Sequence, residues 1–170
     1  ELLCALSGPN LATEVAKGLP TATVIASRVD EITEVVQNAL MMERFRVYTN
    51  NDVIGTQLGG ALKNVIAIAA GAAFGLNLGD NAKATMMVRG IAEMARLGVA
   101  MGAKIETFAG LSGIGDLITT CSSRLSRNHQ VGEQIAKGKK LKDILAKTKK
   151  VAEGVFTVVA AVELAKKIGV

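Results

Sequence analysis

Residues 59–75, GGALKNVIAIAAGAAFG, are apolar on nearly every face of a helix and rich in alanine and glycine, yet they carry one lysine, Lys63. A helix with no polar face belongs inside a domain, and its small side chains let neighbouring helices approach closely. The segment is therefore expected to be central. Lys63 is then the anomaly, because a desolvated ammonium favours its neutral form unless a nearby carboxylate restores the charge and fixes its direction. A lysine so placed suits acid/base work near neutral pH. The alternative is a long side chain snorkelling from the first turns of the helix to water.

The rest of the composition narrows the class of molecule. The 170 residues are 49% apolar and 21% charged, too apolar and too mixed in sign for disorder, and no run reaches the roughly 20 uninterrupted apolar residues of a membrane helix. Cys4 and Cys121 are far apart and lack neighbours at ligand spacing, so neither a disulfide framework nor a metal site is expected, and the setting is expected to be reducing and cytoplasmic. The chain opens on Glu1 rather than Met, and is expected to be cut from a longer one. Its net charge of +5 is local: between residues 137 and 150, seven lysines stand against Asp143, leaving the remainder slightly acidic. No aromatic residue interleaves those lysines, so the run reads as a solvated helix face around Leu141, Ile144 and Leu145, and nucleic acid is not an expected partner.

Two kinds of patterning meet near residues 49–56. Over 1–50, short β-like runs (CALSG, TATVIAS, RFRVYTN) alternate with helical stretches, which is α/β patterning and implies the edge of a larger sheet. Asp30 is expected to cap the second helix, with Ile32, Val35, Val36 and Ala39 as its buried stripe. Over 51–170 the pattern is all helical, with helices expected near 56–74, 81–101, 106–120 with breaks, 127–137, 141–147 and 154–168. Asp80 or Asn81 is expected to cap the second of these, and Glu93 with Arg96 to form a surface pair. The fold class is thus mainly α.

Four polar stretches could carry chemistry. In GLSGIGDLITTC, three glycines allow close backbone approach just before Asp116, the candidate partner of Lys63; Asp after Gly is also a common turn or cap pair. Thr119 and Thr120 lie one turn further, and Cys121 reads as a small core residue. Ser126-Arg127-Asn128 opens a helix with a cation where the dipole favours an anion, which makes sense around a bound phosphate or as simple capping by Ser126 beside a solvated Arg127. The lone histidine, His129, is expected at the surface or behind the site. Ser7-Gly8-Pro9-Asn10 is a turn with free backbone donors, and Val151-Ala152-Glu153-Gly154 leads into the last helix, where Glu153 could accept from a ribose or amide.

Taken together, LSGPNLATEVAKGLPTATVIAS, GGALKNVIAIAAG, LGDNAKA, RGIAEMARLG, GLSGIGDLITTC, SRNHQVG and VAEG resemble the NAD(P)-dependent glycerol-3-phosphate dehydrogenases of the bacterial and plastid type. The resemblance implies that residues 1–50 end a Rossmann-type NAD(P)-binding domain and that 51–170 form most of a helical substrate domain. It implies Lys63 as acid/base at the substrate's C2 oxygen, Asp116 as its ionic partner, and Asn64 and Thr120 as residues that hold this site. Gly8 and Asn10 match substrate contacts, Ser126, Arg127 and Asn128 the phosphate cradle, and Ala12, Arg127, Val151 and Glu153 cofactor contacts. Asn10 departs from the family's usual Ser or Thr, and Leu11 from a common Phe. The implied reaction interconverts dihydroxyacetone phosphate and sn-glycerol 3-phosphate for glycerophospholipid synthesis, with NAD or NADP, in a homodimer away from membranes. These residues alone are expected to be inactive. The residues also leave open a non-catalytic helical assembly module or a related hydroxyacid dehydrogenase.

Overall fold

The computed structural model describes residues 3–147 and 151–170; Lys149 and Lys150, at the end of the lysine run, lie outside them. Three strands form a small mixed sheet. β1 (Ala5–Ser7) pairs antiparallel with β2 (Thr21–Ala26), and β2 pairs parallel with β3 (Phe45–Asn50), in the order β1-β2-β3. The single turn α1 (Ala12–Val15) joins β1 to β2, and α2 (Asp30–Leu40) makes the crossover between the parallel pair. Pro20 sits immediately before β2, whose Val24, Ile25 and Ala26 are buried.

Two details of α2 differ from expectation. Asp30 lies inside the helix, and Val29 is the capping position without a side-chain cap; the Ser27 hydroxyl instead accepts from the Val29 N–H. The face turned inward carries Thr33, Val36 and Gln37, whose amide donates to the Val47 carbonyl, while Val35 is 66% exposed. Of the expected stripe, Ile32 and Val36 are half-buried, while Val35 and Ala39 are exposed.

The helical part is built on α3 (Val53–Gly75). Between Leu62 and Ala73 none of its residues is exposed. By length and composition α3 could cross a membrane, but helices pack around it and its lysine faces a carboxylate, which is how a core helix is built. It runs against α4 (Gly79–Ala100), then, after α5 (Ile105–Phe108) and a π-helical turn over Leu111–Gly115, against α6 (Asp116–Ser122) and α7 (Arg127–Ala136). After α8 (Leu141–Lys147), α9 (Gly154–Ile168) returns to α3. The main apolar core joins Leu62, Ala67 and Ala70 of α3 to Met94, Leu97, Phe108, Leu117 and Cys121. α4 starts at Gly79, so Asp80 falls in its first turn and pairs with Lys83 rather than capping; Arg89, not Arg96, is the partner of Glu93, one full turn away.

The closest helix packing, α3 on α7, depends on two glycines. A methyl group at Gly71 would collide with the His129 carbonyl, and one at Gly132 with the Ile68 carbonyl. The two backbones therefore interlock, and the start of α7 is set beside the lysine-bearing turn of α3.

Where the sheet meets α3, Asp52 acts as a fastener. Its carboxylate caps α3 by accepting from the Gly55 N–H and also accepts from the Lys104 N–H and the Thr107 hydroxyl at 2.7–2.9 Å. Burial works against its charge, but these donors outweigh that and hold its carboxyl below the usual range. A depressed carboxylate contributes stability that is present above the unfolded pKa of about 3.9 and lost as pH falls through the folded value. Asp52→Ala is expected to cost about 2–4 kcal/mol at pH 7 in denaturant unfolding, with the gap from wild type narrowing below about pH 4.

Candidate functional site

The lysine of the apolar helix finds its carboxylate. Lys63 Nζ donates to Asp116 Oδ2 at 2.5 Å, across 53 positions of sequence. Asp116 opens α6, directly after the π-helical turn, and its side chain is only 3% exposed against 18% for Lys63. Three further donors converge on it: Thr120 Oγ1 on Oδ1 at 3.2 Å, and both Ser7 Oγ and the Gly8 N–H on Oδ2 at 3.3 Å. Gly8 has a φ of +147°, and its Cβ position lies 2.9 Å from the Thr23 Cα, so the turn after β1 brings its N–H to the carboxylate without a side chain in the way. Burial pushes the Asp116 carboxyl up, against the opposing pull of Lys63, Thr120 and Gly8. Thr119 is turned away, its hydroxyl donating to the Gly115 carbonyl.

The second group of polar residues stands at the head of α7. Ser126 caps that helix by accepting from the His129 N–H, as the sequence suggested. Arg127 Nη2 donates to Glu153 Oε1 at 2.7 Å, so the cation at the positive end of α7 already has an anion in the protein itself. Asn128 ties three elements together. Its amide donates to Asn64 Oδ1 at 3.0 Å and to Glu153 Oε2 at 3.4 Å, and its carbonyl oxygen accepts from the Gly154 N–H at 2.9 Å.

These two groups share one hollow. A cavity of about 530 Å³ is lined by Lys63, Asn64, Asp116, Thr120, Ser126, Arg127, Asn128, Glu153, Asn10 and Ala12, a size ordinary for a small-molecule site. Gly8 faces an adjoining hollow on the β1 side, which also reaches Lys63 and Asp116. Asn10 is at the rim, its amide donating to the Thr23 hydroxyl at 3.0 Å. Val151 does not join the group: it is 59% exposed and outside the lining. No cluster of three metal-ligating side chains occurs among the described residues.

Cys121 is a core residue, with its thiol pushed up to about 12 by burial. Of the two expectations for His129, at the surface or behind the site, the structure excludes the first: it is buried, its ring 5.5 Å from that of Phe74 on α3, and burial holds its pKa down. Asp52 was not singled out by the sequence, and Ser7 only as part of the polar turn Ser7-Gly8-Pro9-Asn10, not as a partner of Asp116. Ser7 directly precedes the Gly8-Pro9 turn, but nothing in the spacing linked β1 to a residue 109 positions later.

A small-residue helix thus carries a lysine into a polar cleft beside the end of a small mixed sheet. Comparison with known proteins narrows the class. Residues 52–170 match the family model for the NAD-dependent glycerol-3-phosphate dehydrogenase C-terminus, and residues 1–33 match its N-terminus counterpart. The chain belongs to this family. It is 54% identical over all 170 residues to a glycerol-3-phosphate dehydrogenase (NAD(P)+) of Citrifermentans bemidjiense, covering 51% of that relative. It is 57% identical over 95% of its length to one of Trichormus variabilis, covering 53%. The crystal structure of glycerol-3-phosphate dehydrogenase from Coxiella burnetii superposes with a TM-score of 0.96 at 41% identity, over 98% of this chain and 51% of that one. The chain thus spans about half the length of the relatives it matches.

The raised Asp116 pKa has a measurable sign. The folded state holds a proton there more tightly than the unfolded state, so this site's contribution to stability is full below about pH 3.9 and declines as pH rises through the folded value. Unfolding free energies measured from pH 3.5 to 6 should show wild type losing stability relative to Asp116→Asn as pH rises, against the opposite trend that Asp52 contributes to both.

Proposed function

We propose that this chain supplies the substrate side of an enzyme that interconverts dihydroxyacetone phosphate and sn-glycerol 3-phosphate with NAD or NADP, serving glycerophospholipid synthesis. The observation that carries the reading is the single cavity shared by the Lys63–Asp116 pair and the head of α7. An acid/base group and an anion cradle in one hollow fit a small substrate with a phosphate at one end and a ketone a few bonds away.

In this reading Ser126, Arg127 and Asn128 take the phosphate, through the hydroxyl, the guanidinium fork and the amide. Anchoring that remote group brings the C2 oxygen to Lys63, so binding energy is spent on orientation. The Lys63 ammonium donates to that oxygen and releases its proton to it as negative charge develops; in the reverse direction the neutral amine takes the proton back. Asp116 keeps the ammonium aimed, and Thr120, Gly8 and Ser7 keep Asp116 aimed. Asn64 links this pair to the cradle through Asn128.

The cofactor fits only in part. Ala12, Arg127 and Glu153 edge the cavity and suit the rim of a nicotinamide nucleotide, with a small side chain for close approach and a carboxylate for hydroxyl or amide donors. These 170 residues contain no strand-to-helix glycine fingerprint to hold a pyrophosphate. When bound, the nicotinamide supplies or accepts the hydride. Residues 1–50 belong, in this reading, to the cofactor domain and 51–170 to the substrate domain, and the setting is cytoplasmic. The exposed Phe156, Val159 and Val162 of α9, three residues apart, favour a homodimer, and equally the second reading of an assembly module without catalysis.

Calorimetry on this chain discriminates between them. sn-Glycerol 3-phosphate should raise its melting temperature by several degrees and glycerol should not, whereas a melting point that responds only to protein concentration would leave assembly as the function. The chain alone should not oxidise NAD(P)H with dihydroxyacetone phosphate. Joined to a relative's dinucleotide-binding half, Lys63→Ala should lower kcat by about 10²–10⁴-fold, and Arg127→Ala should act chiefly through the substrate KM.

A further inference from the structure

Among the described residues, the two cations that face the cavity are each neutralised by a carboxylate of the chain: Lys63 by Asp116, and Arg127 by Glu153. The two pairs are not alike. Asp116 is buried and held by three donors besides Lys63. Glu153 is 45% exposed and its Arg127 partner 41%, so water screens their attraction. Among the described residues, the 3.4 Å contact from Asn128 is all that holds the Glu153 carboxylate besides Arg127, while Asn128 has firmer partners in Asn64 and Gly154. The Asn128 side of the cradle therefore keeps its place without Glu153.

Glu153 stands where an incoming anion would stand. Arg127 is in the first turn of α7, where exposed N–H groups and the dipole already favour negative charge. The side-chain oxygens of Glu153 reach the guanidinium of Arg127 and the amide of Asn128, two of the three groups that the proposed function gives to the phosphate.

We infer that Glu153 is a displaceable internal counter-ion, which occupies Arg127 in the free protein and must yield that arginine to the phosphate, so that its carboxylate sets the affinity of the cradle. This rests on the reading that the cradle takes a phosphate. Two effects oppose each other when the carboxylate is removed. Arg127 loses a partner that orders it, which weakens binding by the entropy of one side chain. The anion also loses a competitor and a like charge within a few ångströms, and for a dianion this second effect is the larger. Glu153 is therefore a brake on anion affinity. Because it also stands at the start of α9, whatever engages its carboxylate from outside would release Arg127.

The test is isothermal titration of the 170-residue chain at low ionic strength with inorganic phosphate and with sn-glycerol 3-phosphate. Wild type, Glu153→Gln, Glu153→Asp, Arg127→Ala and the Glu153→Gln/Arg127→Ala double variant are compared, each with its melting temperature. Glu153→Gln is expected to bind both probes at least threefold more tightly than wild type, and Arg127→Ala to abolish that gain. Glu153→Asp, which keeps the charge, should stay nearer to wild type than to Glu153→Gln. Binding to Glu153→Gln that is unchanged or weaker, in a variant that melts like wild type, would overturn the counter-ion role while leaving the phosphate cradle standing. Absence of phosphate binding in both wild type and Glu153→Gln would overturn the cradle and the counter-ion together.

Discussion

The Lys63–Asp116 pair is the contact on which the rest of the site depends. Neither charge is tolerable alone at that depth, since a buried ion that has lost its partner retains the cost of dehydration without the compensating attraction. The fold surrounds the aspartate with donors from the end of β1 and the turn after it, from α3 and from α6, so the sheet and the helices meet at one carboxylate. Such pairs are weak evidence for stability, because well-packed apolar residues often do as well. Here burial even raises the Asp116 pKa. The pair is better understood as stability given up for a fixed, charged amine in a cleft.

Helix packing converts that local pair into a site. α3 supplies Lys63 and Asn64 on adjacent positions, and the interlocked glycines at Gly71 and Gly132 bring α7 close enough for Asn128 to bridge from Asn64 to Glu153 and Gly154. The composition of α3 follows from this role. A helix that must be approached by α4, α6, α7 and α9 at once cannot carry large side chains, and its alanines and glycines are the record of that crowding.

Much of this was legible in the sequence because it is written in local patterns. The apolar all-round character of residues 59–75 gave the central helix, the break near residue 50 gave the change from α/β to helical structure, and α8 and α9 fall on the expected ranges 141–147 and 154–168. The Lys63–Asp116 contact followed from asking which carboxylate could accompany a buried ammonium. What escaped was decided by tertiary partners. Asp30 and Asp80 have the residue type of caps but lie a position or two inside their helices, where Ser27 and Lys83 settle the local bonding. Arg127 looked like half of a phosphate site, and its nearest anion proved to be Glu153, which only folding brings near. The partners of Ser7 and His129, Asp116 and Phe74, were not legible, since a serine before a turn and a histidine in a helix are common in any setting.

The turn before Asp116 is one residue longer than an α-helix allows. Over Leu111–Gly115 the backbone is π-helical, and regular α geometry resumes at Asp116 itself. Each residue of an α-helix advances about 100° around the axis, so removing one residue between Leu111 and Gly115 would swing the carboxylate by roughly a quarter turn or more relative to the start of that turn. A chain shortened by one glycine in GLSGIG could keep its composition, its hydrophobic pattern and its helix content and still aim its acid at nothing. Length and identity both count in this stretch, since a methyl group at Gly113 would collide with the Phe108 backbone.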